Sequence, residues 1–354
     1  MARQQTLGVN MPVSVLRARL GQAVSLSLGV FAATTLPAAA KPVITTFSPA
    51  NAQDTYPQAI NDAGAVVGNY VDSSYNTHGF LRTADGTLSN IDEPNANFVG
   101  TDPQAINANG TIAGYWNDHI GAHGFIYAAG KFKSFDVSGD TGGGTFVAGI
   151  NKSGTVAGYY QDASSVSHGF LRTAHGKITK FDPKNSTLTE VLCINDGGEI
   201  AGYYQDGSGA QHGFVRSSTG TITSFDPAHS TGTTATSING KGIVAGYYMD
   251  SKNMAHGFVR DSQGTITTFD EPSDTGGRGT KVQDINDAGA VAGEYGDSGG
   301  GIHGYVRSAS GSFKSFDVKG ETGGTFVNGI NKTGKTTGLD VFNFTATQGF
   351  VRTP

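Results

Sequence analysis

The chain has 354 residues, 29 acidic against 24 basic side chains for a formal net charge of −5, 53 glycines and a single cysteine. The acidic balance argues against nucleic acid and anionic membrane as partners. One cysteine excludes an internal disulfide framework.

Residues 1 to 40 read as a secretory signal peptide. Arg3, Arg17 and Arg19 precede an apolar stretch from about Ala23 to Leu36, which ends at the small-residue cleavage pattern Ala38-Ala39-Ala40. Cleavage near Ala40 removes three arginines and no acids, leaving a more acidic mature chain. No other apolar stretch is long enough to span a bilayer. The expectation is a monomer exported to the periplasm or the extracellular space, without membrane insertion.

Residues 41 to 354 read as a single domain of seven repeats of about 45 residues. Ile-Asn recurs at Ile60-Asn61, Ile106-Asn107, Ile150-Asn151, Ile194-Asn195, Ile238-Asn239, Ile285-Asn286 and Ile330-Asn331. His-Gly-Phe keeps step from His78-Gly79-Phe80 to His303-Gly304-Tyr305, with the variant Gln348-Gly349-Phe350 last. Such a period signals a solenoid, an array or a propeller.

Within one repeat, short runs rich in β-branched and aromatic residues are divided by turn residues. One run ends at Ile150-Asn151, and Asn151-Lys152-Ser153-Gly154 is a hairpin signal leading to Thr155–Tyr160. His168–Thr173 and Lys177–Asp182 follow, turning at His175-Gly176. The fold expected is all-β: a seven-bladed β-propeller with four antiparallel strands per blade. The last repeat stops after its third strand, while Val43–Pro49 matches the fourth-strand pattern Ile222–Pro227. The N-terminal strand is therefore expected to complete the last blade, close the ring and remove two exposed sheet edges.

Several positions recur within the repeats. Cys193 occupies a slot held elsewhere by Ala59, Ala105, Gly149, Ser237, Asp284 and Gly329, which reads as a small residue in a crowded inner strand. Glycine recurs inside the second strand from Gly68 to Gly338, where another group must approach the backbone closely; the aromatic of the His-Gly-Phe run is the expected neighbour. Two residues later comes Tyr, replaced by Trp116 in the second repeat and Asp340 in the seventh. Trp116 reads either as packing between blades or as a ligand platform.

Three polar residues recur together: an Asp closing the second strand, a His opening the third and an Asp closing the fourth. Examples are Asp72, His78 and Asp92; Asp162, His168 and Asp182; and Asp206, His212 and Asp226. Antiparallel connection puts all three at one end of the blade. In the seventh repeat Phe342, Gln348 and Ser48 take their places together, as expected of a hydrogen-bonded network in which losing one member strands the others. Two carboxylates and an imidazole can also hold a metal or act as a general base. Six near-identical copies favour a structural network, so the sequence calls for neither a metal nor a cofactor.

A special site should break the repeat. Tyr75, Glu93, His119, Glu190, His229, Met254 and Arg278 do so at positions read as variable loops on the face carrying the triads. Of these, Tyr75, Glu93, His119 and Arg278, together with Trp116, are the candidate ligand-binding residues. Arg172, in a third strand and directed toward the opposite end, serves as the reference position.

On its His-Gly-Phe runs the chain resembles the HAF family of extracellular repeat proteins, named for His-Ala-Phe. The resemblance covers all seven repeats and implies export and a repeated β architecture, with no reaction to carry over. Two function classes follow. One is a secreted binding or scaffold module for a glycan, peptide or surface component; the other is a carbohydrate-active enzyme, a polysaccharide lyase or glycoside hydrolase. A hydrolase needs two opposed carboxylates, which the abundance of Asp supplies without discrimination, and the scarcity of basic loop residues argues against a uronate lyase.

Overall fold

The computed structural model describes residues 41–141, 143–275, 278–320, 323–342 and 346–354. The signal peptide expected over residues 1 to 40 lies outside them. The described residues form strands joined by turns, with no helix. In the repeat read above, strands run over Val156–Gln161, Ser167–Arg172 and Ile178–Phe181, within a residue or two of the expected runs.

Each repeat is an antiparallel sheet in which consecutive strands are hydrogen-bonded neighbours. Adjacent sheets touch through single parallel bridges between a third strand and the next first strand, such as Ala122 with Gly144 and Gln211 with Gly232. The same bridge joins Thr347 to Asp54. The N-terminal strand Val43–Phe47 pairs antiparallel with the last strand Ala346–Thr353, Val43 opposite Thr353 and Phe47 opposite Gly349.

The asparagine of every Ile-Asn pair has two roles. Its side-chain oxygen accepts backbone N–H bonds from its own hairpin, as Asn151 does from Ser153 and Thr155. Its Nδ2 donates to the backbone carbonyl of the next asparagine. The series runs Asn61, Asn107, Asn151, Asn195, Asn239, Asn286, Asn331 and back to Asn61, at 2.9–3.3 Å. These amides are buried, where an unmatched polar group would cost free energy, so the marker of the sequence repeat is also its joint.

Packing between repeats uses two ladders. The third-strand phenylalanines Phe80, Phe125, Phe170, Phe214, Phe258 and Phe350, with Tyr305, are fully buried. Third-strand arginines lie over the fourth-strand phenylalanine of the preceding repeat: Arg172 over Phe135 at 4.5 Å, Arg307 over Phe269 at 4.3 Å and Arg82 over Phe47 at 5.0 Å. Arg172 is thus buried at a joint between repeats and cannot serve as a neutral reference; Lys177, exposed in the adjacent hairpin, can.

The second-strand glycines correct an expectation. A Cβ at Gly68, Gly158 or Gly338 would meet the backbone carbonyl of Tyr56, Phe146 or Phe326 at 1.9–2.1 Å. The approaching group is the first strand's own backbone, pushed forward where its register shifts beside the glycine. A different aromatic crowds the glycine of the His-Gly-Phe run: a Cβ at Gly257 would lie 2.6 Å from the ring of Phe269 in the fourth strand.

Candidate functional site

Six triads assemble as the spacing anticipates. The His Nδ1 lies 2.7–3.2 Å from the second Asp in every case. The Nε2 lies 3.3–3.6 Å from the first. The first Asp also builds its turn: Asp162 Oδ1 accepts the backbone N–H groups of Ser164 and Val166. Those turn amides hold the carboxyls of Asp118, Asp162, Asp250 and Asp297 below the usual range, and similar bonds hold Asp72 and Asp206 at about 2. Partial burial opposes charge on His123, His168, His212, His256 and His303, but bonding and attraction to two carboxylates outweigh it and raise their pKa.

An aromatic ring lies on each imidazole. Tyr160 stacks on His168 at 5.2 Å and Trp116 on His123 at 4.4 Å. In the seventh repeat both partners change: Gln348 Nε2 donates to Asp340 Oδ2 at 3.1 Å, so the out-of-pattern Asp340 answers the out-of-pattern Gln348. Every triad is therefore engaged internally.

The five candidate ligand-binding residues divide. Trp116 is 7% exposed, with His123 against its ring and its indole N–H donated to Ser134 Oγ at 3.0 Å, so it packs and offers no platform. Glu93 is buried and binds the backbone N–H of Asn95, while its own N–H donates to Thr101 Oγ1. Glu271 repeats this arrangement through Ser273 and Thr280, so Glu93 is a loop staple rather than a departure from the repeat. Tyr75, His119 and Arg278 are exposed.

Tyr75 and His119 lie in loops that meet a third. Thr77 N–H donates to Phe98 O, Asn97 N–H to Asn117 O and Asn117 N–H to Gly100 O, tying the 72–77 turn, the 91–100 loop and the 117–121 turn together. Four large apolar side chains stand exposed on these loops: Tyr75 at 74%, Phe98 at 62%, Val99 at 45% and Ile120 at 89%. Arg278 lies in a loop of the sixth repeat, with its backbone against Gly296. The sequence reading missed Phe98, Val99 and Ile120, whose signal was hydrophobicity inside turn-rich segments.

Glu190 is not in a loop. It belongs to the first strand Ser186–Ile194, opposite Tyr203, whose hydroxyl donates to it at 2.6 Å. The same inner level carries other repeat-breaking residues that the sequence reading passed over. Tyr115 OH donates to Asp102 at 2.8 Å, Phe146 stacks on Tyr159 at 5.0 Å, and Gln283 Nε2 donates to Glu294 at 3.0 Å. These residues are half-buried in a narrow interior. Burial pushes the Asp102 carboxyl up to about 6 and the Glu294 carboxyl up to about 7, against the hydrogen bonds they accept.

No family model matches the sequence, and no curated protein does. Solved structures do. Streptogramin B lyase superposes with a TM-score of 0.59 at 11% identity, covering 88% of this chain and 97% of that one. A catalytically inactive virginiamycin B lyase from Staphylococcus aureus, with quinupristin, gives 0.58 at 12%, covering 89% and 100%. The β-propeller domain of the Trilobed protease from Pyrococcus furiosus gives 0.57 at 13%, covering 84% and 95%. The fold is that of a β-propeller. At such identities the likeness speaks to fold alone.

Proposed function

We propose that this protein is an exported, monomeric seven-bladed β-propeller of the HAF type, acting as a binding module for a glycan or peptide through the loop face of its first two repeats. The observation that carries the binding reading is the gathering of Tyr75, Phe98, Val99 and Ile120 on three loops hydrogen-bonded to one another. Exposed apolar side chains held on a rigid scaffold mark a recognition surface, and the aromatic rings of Tyr75 and Phe98 suit the apolar face of a sugar ring or a peptide side chain. His119 stands beside Ile120 as a polar group at the rim. Seven blades are supported by the continuous series of asparagine bonds, and a ring completed at the N-terminus by the pairing of Val43–Phe47 with Ala346–Thr353.

The test is a screen of purified residues 41–354 against glycan and peptide arrays, followed by calorimetry on whatever binds. Tyr75→Ala, Phe98→Ala and Ile120→Ser should each weaken binding at least about tenfold, while Lys177→Ala and Arg278→Ala bind normally. A ligand held equally well by all five variants would move the site elsewhere.

A further inference from the structure

The first strands enclose a central channel of about 420 Å³, lined toward the Asn-x-x-Gly hairpins and remote from the loop patch. Where the first strand bulges, each repeat contributes one residue to its wall: Gln58, Gln104, Ala148, Leu192, Thr236, Gln283 and Asn328 in chain order. The distribution is uneven. Gln283, Asn328, Gln58 and Gln104 follow one another around the Asn-linked series, so carboxamides line one continuous arc and Ala148, Leu192 and Thr236 the other.

Two of the amides are also oriented. Gln283 donates its Nε2 to Glu294 Oε1 at 3.0 Å, and Asn328 donates its Nδ2 to Pro57 O at 2.7 Å. An amide whose NH2 group is committed to an acceptor keeps its carbonyl oxygen for another partner. The polar arc therefore presents hydrogen-bond acceptors to a ligand's donors, facing a wall of methyl and methylene groups.

From this geometry we infer that the channel is a second binding site, for a neutral polyhydroxylated small molecule of monosaccharide size. Its hydroxyls donate to the amide arc, and its C–H face lies against Leu192 and Ala148. The volume is within the usual range for small-molecule pockets, about 300–1,000 Å³. Glu294 is a positioning residue, acting through the Gln283 it holds.

The inference is tested on residues 41–354 by ligand-observed NMR and calorimetry with glucose, galactose, mannose, N-acetylglucosamine and myo-inositol, with butylammonium as the cationic control. At least one polyol is expected to bind, at least about tenfold more weakly in Gln104→Leu and Gln283→Leu and not at all in Leu192→Trp, which fills the opposite wall. Tyr75→Ala should bind it normally, which separates this site from the loop patch. Binding of none of the five polyols, binding unchanged in Leu192→Trp, or preference for butylammonium would each overturn it. Should the glutamine variants fail to fold, Leu192→Trp and the milder Ala148→Leu decide the matter.

Discussion

Ser237 donates its hydroxyl to Asp284 Oδ1 at 2.6 Å, across the boundary between two repeats. The other oxygen of the same carboxylate accepts the backbone N–H of Ile330 at 2.8 Å, so one side chain links three successive repeats. Burial pushes its pKa up despite those bonds. Asp284→Ala should cost roughly 1–3 kcal/mol by stranding these donors, seen as a lower denaturation midpoint; Asp284→Asn, which keeps an acceptor, should lose less. Equal midpoints for Asp284→Ala and the parent would contradict the linking role.

Deleting residues 41–50 removes the partner of the last strand and bares its edge along Gly349–Thr353. It also removes Phe47, on which Arg82 rests. The expected result is a fall of many degrees in Tm, or aggregation. A truncated protein that melts with the parent would show that this pairing contributes nothing.

His168→Ala should cost roughly 1–3 kcal/mol, toward the lower end because Asp162 and Asp182 keep contact with solvent. Once folded, the variant should bind loop-face ligands as the parent does. Stoichiometric divalent metal found by elemental analysis, and lost in a His168 and His212 double variant, would reverse the structural reading.

Two sets of groups make stability depend on pH in the same direction. The raised histidines, such as His168 and His212, stabilise the fold fully below their unfolded pKa, and that contribution is lost as pH rises through the folded one. Asp102 and Glu294 bind protons in the fold up to about pH 6 and 7, so they cost stability progressively from about pH 4 upward. The protein should therefore be more stable near pH 5 than at pH 8. Glu294→Gln should raise the midpoint at pH 8 and leave it nearly unchanged at pH 4, checked by chemical denaturation at both.

The repeat architecture was legible because each marker residue does the same physical work in every copy. Ile-Asn marks a buried amide joint, and the Asp and His of each triad meet at one end because strand direction alternates. The residues that distinguish one repeat from another were harder to read. Glu190 looked like a loop residue because Ser186, Thr187 and Thr189 before it resemble a turn, yet they extend the strand. Asp102 and Glu294 are carboxylates within strands, paired opposite Tyr115 and Lys281, and strand propensity does not tell which side of the pleat is buried. Trp116 and Glu93 stood out by type, but their surroundings claim them.

The pairing of Val43–Phe47 with Ala346–Thr353 also has a kinetic consequence. About 300 residues separate the partners, and the entropy of bringing two ends together grows with the logarithm of that length. Contacts of such separation form slowly. During synthesis the first strand emerges with its partner still untranslated, and a chain arrested before Ala346 keeps an open, sticky flank. In a refolding experiment the last signal to recover should therefore be protection of the amides in Val43–Phe47, after the interior hairpins have already become protected.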